Sequence, residues 1–174
     1  MVVKIREEGR VRQRSLLIGV GVNEEGYREV LGVMIGDSES EESWGEFFSW
    51  LKERGLNGVD LVESSHHKGL VQAIYRHFQG ATWQRCQTHF MRAIYDKTPK
   101  GLQKELHAKI RAMFEAPDAK TARVLLNQVL EEYGGKAPKA MEVLEEGFED
   151  AIAVLELPEP YRRRLRTTNI YWSD

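Results

Sequence analysis

Residues 2–36 alternate between apolar runs and short polar breaks. Val2–Arg6, Leu16–Val22 and Arg28–Ile35 are rich in Val, Ile and Leu, and the breaks at Glu7–Gly9 and Asn23–Gly26 set Gly beside acidic residues. Such breaks predict hairpin turns, because Gly reaches the positive φ that tight turns need. The pattern therefore predicts an antiparallel meander of three strands. Leu16–Val22 is apolar at nearly every position, as expected of a strand covered on both faces. The period then changes. Trp44, Phe47, Phe48 and Leu51 recur at helical spacing, with Ser38 or Ser40 as the cap and Gly55 as the stop. Val59–Glu63 and Ala81–Arg85 read as short strands around an amphipathic helix, Gly69–Phe78.

From Gly101 onward the pattern is helical. Leu102–Ala116, Asp118–Tyr133 and Ala137–Leu155 carry apolar residues at i, i+3 and i+4, separated by Pro117, Gly134-Gly135 and Pro138. One more helix is predicted after Pro158. No internal repeat or low-complexity segment is present. This order predicts an α/β (α+β) chain, a mixed sheet with flanking helices and an all-helical insertion or appendage.

Composition narrows the class. A chain of 174 residues, 41% hydrophobic and 30% charged, is long enough for a genuine core and is not of disordered type. A formal net charge of −2 argues against a basic nucleic-acid binder as a whole, so such contact would need a local patch or further sequence. No window approaches the roughly 20 apolar residues of a membrane span, and the start lacks the apolar segment of a signal peptide. Cys86 stands alone, which excludes an internal disulfide and fits a reducing compartment. The expectation is a cytoplasmic chain with no membrane partner.

The candidate chemistry begins in LVESSHHKGL, residues 61–70, where a strand breaks into serines and histidines just before a helix. One reading is a zinc site from His66, His67, Cys86 and His89. Cys-x-x-His has ligand spacing, but no second close pair completes it, and adjacent histidines on a strand point to opposite faces. The plainer reading is a partly buried Cys and His at a strand end. A second reading makes Ser64 or Ser65 a nucleophile, yet no G-x-S-x-G turn is present and serines before helices are ordinary caps. A third concerns Arg162, Arg163, Arg164 and Arg166 beside Asn169, where Arg162 and Arg166 lie one turn apart and could contact phosphates. The alternative is a solvated helix face following the acidic one at Glu142, Glu145, Glu146, Glu149 and Asp150.

REVLGVMIGDSESEESW, LKERGLNGVDLV, SSHHKGL, WQRCQTHFMR and YRRRLRTTN, taken in order, resemble mutator-type transposases of bacterial insertion sequences, over Val3 to Asn169. The resemblance implies a ribonuclease H-like fold. Its division would be a core over 1–96 with an incomplete first strand, a helical insertion over 97–157, and the truncated start of the last catalytic helix over 158–174. It also implies Asp, Asp and Glu holding magnesium ions that cut and join phosphodiesters. Ser64, His67, Gly69, Cys86 and His89 match family motif positions.

The family's catalytic Asp position, however, is Ser65, its Glu position is Trp172, and its first Asp lies upstream of Val3. A neutral hydroxyl does not replace an anionic metal ligand. Glu63 lies roughly 6–7 Å back along the strand, and Asp60 farther still. The resemblance therefore implies a truncated, degenerate transposase without an intact catalytic set or metal ion. Its expected partners are DNA at transposon ends, weakly held, and a homo-oligomer or a hetero-oligomer with intact transposase. The alternative is a non-catalytic regulator that binds DNA or transposase.

Overall fold

The computed structural model describes residues 2–162 and residue 165, apart from the side chain of Pro160. Strands β1 (Val2–Glu7), β2 (Arg10–Val22) and β3 (Arg28–Gly36) form an antiparallel sheet in that order. Glu8 and Gly9 both have positive φ, 48° and 80°, so the first hairpin turns through the two-residue geometry that matches strand twist. β2 begins at Arg10, earlier than the apolar run predicts. The polar stretch Arg10–Arg14 is strand because it pairs with β1, while β3 pairs only from Ser15 onward.

Helix α1 (Glu41–Glu53) starts at Ser40, whose Oγ accepts the Ser43 N–H at 3.1 Å. It covers one face of the sheet. The cross-strand partners Gly19 and Gly32 make room for it: a Cβ on Gly32 would stand 2.4 Å from the Trp50 ring, and one on Gly19 3.2 Å from Leu51. The expected coverage of β2 on both faces is not observed. Leu17 is fully buried toward α1, but Ile18 and Val20 are exposed on the opposite face beside their partners Val33 and Val30. Burial needs a partner, and among the described residues none lies on that face.

Strands β4 (Leu61–Ser64) and β5 (Thr82–Arg85) form a second, two-stranded sheet. The Thr82 N–H donates to the Asp60 carbonyl and the Cys86 N–H to the Ser64 carbonyl, each at 2.8 Å, so the strands run parallel. Helix α2 (Lys68–His77) connects them. Next comes α3 (Gln87–Asp96), a helix the pattern does not predict: the CQTH stretch is expected at a strand end and turn, whereas His89 lies on this helix. Helices α4 (Gln103–Phe114), α5 (Ala119–Tyr133), α6 (Pro138–Ile152) and the short α7 (Glu159–Arg162) follow.

The chain divides into two compact units. Met1–Val62 with His67–Thr82 makes one, and Glu63–His66 with Trp83 onward makes the other. In the first, Phe47, Phe48 and Leu51 of α1 are buried with Ala73 and Ile74 of α2. In the second, a continuous core runs from Phe90 and Ile94 of α3 through Leu106, Met113, Leu126 and Tyr133 to Leu144 and Phe148 of α6. The architecture is mixed α/β, as the pattern predicts.

Candidate active site

β4 ends at Ser64, and burial decides what that serine does. It is 5% exposed. Its Oγ accepts the Trp83 indole N–H at 2.9 Å and donates to the Ser65 carbonyl at 2.9 Å, so the hydroxyl joins two strand ends. Among the described residues no histidine bonds to it as a base. Neither serine caps α2; that place belongs to His67, whose side chain makes no capping bond. Ser65 follows directly, half-buried, at the end of the strand.

Next to it the second unit gathers charge. The His66 ring lies 5.7 Å from the Trp83 ring. The Arg85 guanidinium lies over the Phe90 ring at 4.4 Å. Gly147 of α6 opens the space for it, since a Cβ there would come within 2.4 Å of Arg85 Nη1 and 2.6 Å of Phe90. Glu146 and Asp150 flank that glycine on the same helix. Burial lowers the Arg85 pKa against the pull of Asp150 and Glu146. Burial raises the Asp150 pKa, opposed by Arg85 and His66. Burial also lowers the His66 pKa, with Arg85 adding to the effect and Asp150 opposing it. His66, Arg85 and Asp150 thus form a mutually compensating set of charges. Arg85 and Asp150 were not singled out from the sequence, where Asp150 reads as part of a solvated acidic face. The available signal was Gly147, a glycine inside a helix between acids, which marks a close approach.

The other candidates are scattered. Cys86 is fully buried at the N-cap of α3, while His89 is exposed on the first turn of that helix. His67 and Gly69 belong to the first unit, where a Cβ on Gly69 would stand 2.7 Å from the Glu41 N. Glu63 is half-buried within β4. Among the described residues, no three His, Cys, Asp or Glu side chains come together as a metal site. The Arg162 guanidinium is held by carbonyls of its own unit, with Nε donating to Leu157 at 2.7 Å and Nη1 to Pro117 at 2.6 Å. Arg163, Arg164, Arg166, Asn169 and Trp172 lie outside the described residues.

Comparison with known protein families matches residues 1–173 to "Transposase, Mutator family". The chain belongs to the Mutator family of transposases. It is 41% identical over 172 residues to the transposase for insertion sequence element IS256 in transposon Tn4001 of Staphylococcus aureus, covering 98% of this chain and 44% of that protein. It is 37% identical over 169 residues to the transposase for element IS1081 of Mycobacterium tuberculosis, covering 97% of this chain and 41% of that one. A transposase for element IS406 of Burkholderia multivorans is 38% identical over 167 residues, 95% of this chain and 43% of that protein. The Mutator chain described here thus spans less than half the length of these relatives. None of its helices, among the described residues, is long and apolar enough to cross a membrane.

Proposed function

We propose that this Mutator-family chain engages insertion-sequence DNA in the cytoplasm without cutting it. In the family reading, carboxylates on a ribonuclease H-like sheet would hold magnesium ions, whose chemistry would be to activate an attacking hydroxyl and to stabilise a leaving oxygen. The observation that carries the proposal is Ser65, a neutral residue at the end of β4 where the resemblance implies the catalytic Asp. A hard octahedral cation prefers charged oxygens. The nearby donors are the Ser65 hydroxyl, a Ser64 hydroxyl already bonded to Trp83 and Ser65, and the half-buried Glu63 carboxylate two residues back on β4, and among the described residues no three His, Cys, Asp or Glu side chains come together. This donor set does not fit magnesium. What the residues do instead is join strand ends and balance charge.

The test is strand cleavage. Purified chain, incubated with magnesium or manganese and duplex carrying the ends of a Mutator-family element, is expected to leave both strands intact. Ser65→Asp is expected to remain inactive, because among the described residues no three His, Cys, Asp or Glu side chains come together to hold two ions with it. Metal-dependent nicking that survives Ser65→Ala would overturn the proposal by showing that other residues supply the catalysis.

A further inference from the structure

We infer that the β1–β2 hairpin is a DNA-contacting arm that lies between the phosphate walls of a duplex groove. This deepens the reading above, since it rests on DNA being the partner. Val2–Glu7 pairs with Arg10–Ser15, and among the described residues no strand pairs with the other side of Arg10–Arg14, so residues 2–14 form a two-stranded ribbon. The ribbon carries Lys4, Arg6, Arg10, Arg12 and Arg14 against Glu7 and Glu8, in a chain whose net charge is −2.

Pairing sets which way each charge points, because direct cross-strand partners share a face. Lys4 with Gln13 and Arg6 with Val11 lie on one face, while Glu7 with Arg10, Ile5 with Arg12 and Val3 with Arg14 lie on the other. Internal ion pairs take up only part of this charge. Arg14 bonds Glu7 at 2.6 Å and also Asp37, and Arg12 lies 3.9 Å from Glu7 and from Glu8. Lys4, Arg6 and Arg10 are exposed and have no ion pair among the described residues. Cations without internal partners therefore stand on both faces.

That is the charge complement of two phosphate walls, and a major groove about 12 Å wide admits a two-stranded ribbon. The Arg162 guanidinium, by contrast, is already bonded to two carbonyls.

The experiment is fluorescence anisotropy of the whole chain with a short duplex of unrelated sequence, titrated between about 50 and 200 mM salt. The triple variant Lys4→Gln/Arg6→Gln/Arg10→Gln is compared with Lys104→Gln/Lys120→Gln/Lys139→Gln. The latter removes the same charge from exposed positions of the helical block. Each phosphate contact adds about 0.9 to the salt slope, so the arm variant should lose roughly 2.7 of slope and most of its affinity while the helical variant keeps both. In addition, Glu8→Gln should bind more tightly, because Glu8 is an exposed anion at the tip.

Equal loss in the two triple variants, no loss in the arm variant, or no binding by the parent chain would each overturn the arm. An arm variant that binds like the parent, with cleavage still absent, removes the arm and leaves the proposed function standing. Nicking by the parent with binding lost in the arm variant does the reverse.

Discussion

Gln84 shows how much one side chain can hold. It is fully buried on β5; its Nε2 donates to the carbonyls of Arg85 at 2.7 Å and Ala151 at 2.8 Å, and its Oε1 accepts the Val154 N–H at 2.6 Å. Gln87 adds a second donor to Ala151. α6 ends at Ile152, where backbone groups lose their helical partners, and these glutamine amides replace them away from water. Gln84→Leu keeps the volume but strands the Val154 N–H. It should lower the unfolding free energy by about 2 kcal/mol, read from urea denaturation, with little change in the helical signal of the folded state. None of this is legible in the sequence. The bonds link positions 67 and 70 residues apart, and local patterning carries no information at that separation. The end of β4 at Ser64 was legible because a strand end is a local feature.

Helices and strands were legible where burial imposes a period. α1, α2 and α4–α6 each bury an apolar stripe, and their predicted ranges follow it closely. α3 escaped because its first turn, Gln87–His89, is polar and Phe90 and Ile94 are its only fully buried apolar residues among those described. The first half of β2 escaped for the same reason: Arg10–Gln13 is strand through pairing, without burial. Contacts between elements depend on still less sequence. The start of α2 packs on the start of α1 through Gly69, where a Cβ would meet the Glu41 N at 2.7 Å and the Ser40 carbonyl carbon at 3.1 Å. Those are backbone atoms, which do not swing aside as a side chain would. Gly69→Ala should therefore destabilise the chain by about 1–3 kcal/mol, while Gly101→Ala, whose Cβ would meet nothing within 4 Å, should be nearly neutral. Thermal denaturation of the two variants side by side checks this.

Net charge conceals how the molecule distributes its ionisable groups, as the arm illustrates, and the same holds for its response to pH. Each unit carries one histidine whose pKa is lowered. Burial lowers that of His66, with Arg85 adding to the effect. Burial likewise lowers that of His77, with Lys52 and Arg76 adding and Glu41 opposing, and its ring sits edge-on to Phe48 at 6.0 Å. A base whose folded pKa lies below its unfolded value binds fewer protons when folded. The stability it contributes is present above the unfolded value, near 6.5, and is lost as pH falls through the folded one. Carboxylates held low by ion pairs or a helix cap, such as Glu132, Glu149 and Asp118, lose their contribution only below the usual carboxylate range. The two windows are therefore separable. Between about pH 7.5 and 5.5 the urea midpoint should fall, and His66→Gln/His77→Gln should flatten that fall while leaving the loss at lower pH in place. A double variant with the parent's profile across the upper window would assign the loss to other groups.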